Sequence, residues 1–209
     1  MTTSPIDPVR TAVLALHWQV HVVKPEGFFG GMLAEPVARS GLVDRAARFH
    51  TSAETAGATL VFTRFTIPQD EGELVRNTEM MASVADAQES FRPDSAGAQL
   101  VPEMAESAKY VVDNQKLSGL AGNDLANSLR DKGIDTVLIT GVATNLTVEQ
   151  TARHASDLGF TTHVISDCVT AADETSHLSS LADLDLTTAG CRTAADALAG
   201  LAVGVSHQH

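Results

Sequence analysis

Residues Thr136–Thr140 read TVLIT, an unbroken run of apolar and β-branched side chains. A strand with no polar face must be covered on both sides, which points to a parallel sheet between two layers of helices. Thr11–Leu16 (TAVLAL), Ala58–Thr63 (ATLVFT), Tyr110–Val112 and Thr161–Ile165 read as further strands, and Asp185–Ala189 as a sixth. Between them, amphipathic stretches predict helices over Glu35–Gly57, Asp124–Lys132, Leu146–Leu158, Glu174–Leu184 and Thr193–Leu201, and a helix or lid segment over Thr78–Phe91. Several of these end at glycine, as helices often do. The alternation predicts an α/β fold, with a doubly wound, mostly parallel six-stranded sheet and helices on both faces. The 209 residues fit one domain over 1–209, with a loose N-terminal arm at 1–10 and a polar tail at 202–209 that carries His207 and His209.

Charge and composition narrow the function. The chain has 14 basic against 26 acidic residues, a formal balance of −12, and no basic patch, so no nucleic-acid partner is expected. No apolar run approaches the roughly 20 residues of a membrane-spanning helix, and none reads as a signal peptide, so no membrane partner is expected. Two cysteines, Cys168 and Cys191, make neither a disulfide framework nor a zinc cluster and fit a reducing, cytoplasmic setting. The glycine-rich segment 27–31 lacks dinucleotide spacing and no GxxxxGK[ST] pattern occurs, so no nucleotide cofactor is expected.

In open parallel sheets, ligands bind beyond the carboxyl ends of the strands where the strand order reverses. The residues just past each strand are therefore the first candidates: His17-Trp18-Gln19, Asp113-Asn114-Gln115-Lys116, Gly141 to Thr147, and Asp167-Cys168. In the loop after TVLIT, Gly141 permits backbone shapes that other residues resist, and Thr144 or Asn145 can cap the following helix. Thr147 then falls in the first helical turn, near unpaired N–H groups that suit an oxyanion.

The segment TVLITGVATNLTVEQTARHASDLGF at Thr136–Phe160 is similar to the nucleophile segment GVATNxCVExTARxAxxxG of the isochorismatase-like hydrolases, also called cysteine hydrolases. Ser118–Ile134 (SGLAGNDLANSLRDKGI) is similar to that family's SAFxGTxLxxxLRxxGI, and TAVLALHWQ to its ALLVIDxQ. Ser166–Leu181, with His177, is similar to its DAxxxxxxxxHxxxL. The resemblance spans about Thr11 to Leu201 and implies the isochorismatase-like fold, hydrolysis of a small molecule, and a homodimer or homotetramer. It also implies a catalytic aspartate, lysine and cysteine, with an oxyanion held by main-chain amides around a cis peptide. This chain carries His17, Asn114 and Thr147 at those three positions. Gln19 matches the family glutamine, and Val142-Ala143 the cis-peptide pair. Relatives that bind a metal do so through an aspartate and two histidines after the second strand. Residues 64–70 read RFTIPQD here, so no metal is expected.

The replacements leave chemistry open. A threonine hydroxyl needs a base to become a nucleophile, and a histidine is the commonest one. His17 could serve Thr147 in that way, or act on the substrate directly while Thr147 and Asn114 orient it. Packing and capping are the competing readings. Lys116 lies on the same face of an extended segment as Asn114 and could stand in for the missing lysine, or simply be a surface lysine. Trp18 and Phe28 could wall or close a pocket, together with Phe29, and Arg64 could hold a substrate carboxylate. Core packing and a surface ion pair explain these equally well. Cys168 reads as buried filler rather than a displaced nucleophile, and Cys191 as structural. The resulting expectation is a hydrolase-family protein with an atypical site, acting on a small polar or cyclic metabolite by hydrolysis or acid/base chemistry. The alternative is a catalytically inactive relative that binds a ligand or serves in assembly.

Overall fold

Six parallel strands run in the order β3-β2-β1-β4-β5-β6 in the computed structural model, which describes residues 4–206. They are β1 (Thr11–Leu16), β2 (Thr59–Phe65), β3 (Val111–Asn114), β4 (Thr136–Val142), β5 (Thr161–Thr170) and β6 (Cys191–Arg192). The helices are α1 (Val20–Val23), α2 (Gly30–Ser40), α3 (Leu42–Thr55), α4 (Glu79–Asp86), α5 (Pro102–Ala105), α6 (Leu125–Asp131), α7 (Glu149–Asp157), α8 (Glu174–Thr187) and α9 (Ala194–Ser206). Residues 1–3 of the arm and residues 207–209 of the tail, with His207 and His209, lie outside the described residues.

β1 is buried along its whole length, and its side chains alternate between two cores. Val13 and Ala15 pack with Phe49 of α3, Phe62 of β2 and Leu138 of β4. Ala12, Leu14 and Leu16 pack with Leu125 and Leu129 of α6 and Ala152 of α7. This two-sided burial is what the continuous apolar strands predict. A smaller cluster gathers Phe65, Ile67, Met81, Val84 and Phe91 where α4 leans over the end of β2.

Several boundaries differ from the sequence reading. The helix expected over Glu35–Gly57 is two helices, because Gly41 adopts φ 61°, a left-handed turn that ends α2 and starts α3. The strand expected over Asp185–Ala189 is the end of α8 and its cap. Leu186, in that stretch, is 84% exposed on the helix, while Leu184 before it is fully buried. The sixth strand comes after Gly190 instead. β5 runs on to Thr170, so Cys168 is a core residue of that strand and not a rim residue.

The strand order reverses between β1 and β4, which pair in parallel with Leu16 opposite Gly141. A Cβ built on Gly141 would sit 2.3 Å from the carbonyl oxygen of Leu16, and its φ is 140°. Only glycine lets the two strand ends close to this distance. We expect Gly141→Ala to lower stability by more than about 3 kcal/mol in urea unfolding, since both backbone strain and a backbone clash must be relieved. A loss under about 1 kcal/mol would show that the strand ends have room to part.

Candidate active site

His17 ends β1 with φ 54°, the left-handed region that few residues other than glycine adopt. That single turn breaks the alternation of the strand. Trp18 folds back onto the core of Val13 and Ala15, where it is fully buried and its indole N–H donates to Thr140 Oγ1 at 3.4 Å. The His17 ring faces Phe65 edge-on, with centroids 6.4 Å apart. Its Nε2 is buried and has no hydrogen-bond partner. Without a carboxylate beside it, burial alone pushes its pKa from 6.5 down to about 4, so the ring is neutral near pH 7.

On the neighbouring strand, the Val142–Ala143 peptide is cis, and Thr144–Val148 form one wide helical turn before α7. Neither Thr144 nor Asn145 caps α7 through its side chain. Thr144 Oγ1 instead pairs with His177 Nδ1 at 2.9 Å, tying the loop to α8. Thr147 donates its hydroxyl proton to the carbonyl of Leu117 at 2.6 Å. That proton is held by a carbonyl rather than by a base, which weakens Thr147 as a nucleophile.

These strand ends floor a cavity with about 610 Å3 of empty space, counted out to its open mouth. His17, Gln19, Val142, Ala143 and Thr147 all line it. Gln19, however, is a structural clamp. Its Nε2 donates to the carbonyls of Phe65 and Ala98, both at 3.0 Å, and its Oε1 accepts from Phe65 N at 2.7 Å. Trp18, Phe28, Arg64, Asn114 and Lys116 do not line the cavity. Trp18 belongs to the core. Phe28 is 41% exposed and lies edge-on against Phe29 and Phe91 on the outer side. Arg64 makes a two-pronged pair with Asp113, both contacts at 2.8 Å, because β2 and β3 place them opposite each other. Asn114 turns its Nδ2 to Ser118 O at 2.7 Å and leaves its buried Oδ1 without a partner. Lys116 Nζ donates to the carbonyl of Glu73 at 2.8 Å, on a separate polar cleft that it shares with Asn114 and Gln115. The cation and the amide expected beside Thr147 are therefore turned elsewhere. Cys168 is buried, and burial with Asp167 beside it pushes its thiol up to about 12, so it is no thiolate nucleophile.

The sequence reading missed two histidines. His21 lines the cavity, stacked on Phe91 at 4.4 Å. Its Nδ1 accepts from Phe28 N at 3.2 Å and its Nε2 donates to the carbonyl of Ser90, so both ring nitrogens are used. The spacing His17–His21 across the start of a helix was the available signal. His50, in α3, lies beneath the site with Nε2 on Thr140 Oγ1 at 2.8 Å, and burial pushes its pKa down to about 3. The helical period of α3 places it on the buried stripe, one turn from Ala46 and Ala53, and that spacing was the available signal. Met80, Met81 and Val84 of α4 complete the cavity wall, in the segment read as a helix or lid. Among the described residues, no group of three or more His, Cys, Asp or Glu side chains is placed to hold a metal ion. No helix among them is long and apolar enough to cross a membrane.

Known proteins align with this arrangement. The family profile described as Isochorismatase domain matches residues 11–196. An uncharacterized isochorismatase family protein of Bacillus subtilis is 36% identical over 85 residues, 40% of this chain and 45% of that one. A maleamate amidohydrolase of Pseudomonas putida is 29% identical over 147 residues, 68% of this chain and 66% of that one. The chain thus spans less than two thirds of the length of these curated relatives. The crystal structure of a cysteine hydrolase from Pseudomonas syringae pv. phaseolicola superposes with a TM-score of 0.81 over 96% of each chain at 21% identity, a likeness of fold.

The buried histidines set a pH dependence. Folded His17 and His50 refuse a proton that the unfolded chain accepts below 6.5, and His163 and His177 are shifted in the same direction by burial. Their contribution is complete above 6.5 and is lost as the pH falls toward 4. Urea unfolding is expected to show a drop of about 2–4 kcal/mol between about pH 7 and pH 5, a window above the ordinary carboxylate range. His17→Gln is expected to remove about 1–2 kcal/mol of that drop. An unchanged slope in the variant would show that His17 takes up protons in the folded state.

Proposed function

The chain belongs to the isochorismatase family of hydrolases, and from that premise we propose that His17 runs its reaction as the general acid/base, in a site from which the family's aspartate, lysine and cysteine are all absent. The observation that carries this reading is the His17 ring itself. It is buried on the cavity floor beside the cis peptide, with Nε2 unpartnered. A buried polar atom without a partner in a cleft is poised for a ligand, because leaving it empty is unfavourable.

Thr147 keeps its proton on Leu117 O, so the attacking group is water. His17 Nε2 takes a proton from that water as its oxygen adds to the carbonyl carbon of an amide or ester. The buried imidazolium that forms is a strong acid and gives the proton to the leaving nitrogen or oxygen. The developing oxyanion lies against the main chain between Ala143 and Thr147, as the family pattern implies. Thr147 Oγ1 retains acceptor capacity and can orient a substrate N–H or O–H. Asn114, turned to Ser118, takes no part. The P. putida relative is named for hydrolysis of an amide, which supports the same reaction class here.

A catalytically silent relative is the competing reading, favoured by the tied hydroxyl of Thr147 and the turned-away Asn114. A panel of small amides and esters separates the two. Hydrolysis is expected, with kcat/KM reduced about 10²–10⁴-fold in His17→Gln and less than about tenfold in Thr147→Ala, both variants remaining folded. The rate of the unaltered protein should be flat near neutrality and fall only as the pH drops through about 4, where His17 gains its proton. An absence of turnover across the panel would favour the silent relative, and full activity in His17→Gln would overturn the role given to His17.

A further inference from the structure

The cavity is defined as much by its lack of charge as by its histidine. None of its lining residues is Asp, Glu, Lys or Arg. Its side-chain polar groups are His17, Gln19, His21 and Thr147, and most of their hydrogen-bonding capacity is already used. Gln19 makes three bonds to the backbone, and both ring nitrogens of His21 are engaged. Thr147 has only its acceptor side free. The nearby cations look elsewhere: Arg64 to Asp113, Lys116 to Glu73 O, and Arg92, next to Phe91, to the carbonyl of Ile67 and to Glu89. The walls are Phe29, Phe65 and Phe91, the thioethers of Met80 and Met81, and Leu146. Phe65 and Phe91 stand edge-on at 5.8 Å, a geometry that also receives a third ring. Methionine sulfur beside them adds favourable contact with an aromatic edge.

A ligand ion entering this space would shed its water and meet no counter-charge, which is strongly unfavourable. Building on the reading that this cavity is the reaction site, we infer that it selects an uncharged, largely apolar ligand: a ring with one hydrogen-bonding head group set against His17 and Thr147. Of the expected small polar or cyclic metabolite, only the cyclic kind suits these walls.

Benzyl alcohol, benzoate and benzylammonium share one ring and differ in charge, and none can be hydrolysed. Their binding to the full chain is measured by ligand-observed NMR titration near pH 7. Benzyl alcohol is expected to bind at least about tenfold tighter than either ion, and Leu146→Trp, which fills the cavity, to abolish that binding. Met32 stands 49% exposed at the mouth, so Met32→Arg gives a second, well-tolerated variant, in which benzoate should gain about tenfold and benzylammonium should not. Equal or tighter binding of either ion to the unaltered protein overturns the inference. So does an absence of binding by all three, or binding that Leu146→Trp leaves unchanged. Binding of the neutral probe with no turnover of any amide or ester defeats the hydrolase reading and leaves this one standing. Turnover with a preference for charged substrates does the reverse.

Discussion

The pairing of β1 with β4 at the point where the sheet order reverses is the constraint on which the site depends. Leu16 opposes Gly141, and the missing Cβ of Gly141 lets the two backbones close beyond what any other residue allows. The residues that follow, His17 on one strand and Val142–Ala143 on the other, are then neighbours without any further device. The chemistry-bearing groups come from two short loops on the two central, fully covered strands, and the rigidity of those strands fixes their separation.

Beneath that floor lies a buried polar link. Trp18 and His50 both meet Thr140 Oγ1, at 3.4 Å and 2.8 Å, one residue before Gly141. Polar atoms in an apolar core are costly unless paired, and this set leaves His50 Nδ1 unpaired. It ties α3, the end of β1 and the end of β4 together, so the left-handed turn at His17 is held from the core side. With Trp18 anchored below, the chain has little choice but to present the next ring upward. A strained φ at His17 persists because the surroundings over-determine it.

Where the sequence was legible, burial decided the structure. TAVLAL and TVLIT are apolar because both faces of a central strand are covered, and the strands stand where the pattern put them. It misled where local pattern and packing disagree. Asp185–Ala189 reads as a strand, yet α8, capped by Asp173 through Ser176 N, stays helical to Thr187. The glycine at 41 was hidden inside an amphipathic stretch whose period continues on both sides of the break. Of the proposed site residues, those fixed by backbone topology, His17, Val142, Ala143 and Thr147, converge on one cavity. Arg64, Asn114 and Lys116 do not. They are long or flexible polar groups whose direction is set by partners distant in sequence, Asp113, Ser118 and Glu73, and no pattern in one sequence reports such partners.

On the reading that His17, Asn114 and Thr147 stand at the family's three catalytic positions, they make better sense as a set than singly. The family pattern sets an aspartate against a lysine, two opposite charges that compensate one another in a confined site. Losing one alone would strand the other in an apolar cavity, which typically costs about 3–5 kcal/mol. Carrying neither charge leaves no such orphan. Position 17 is a neutral imidazole, position 114 an amide bonded to the backbone, and no charged side chain lines the cavity. Burial without a counter-ion also explains why His17 sits so far below its ordinary pKa, since nothing beside it stabilises an imidazolium. The low basicity of His17 and the apolar walls go together, because no charged side chain lines the cavity that could hold an imidazolium.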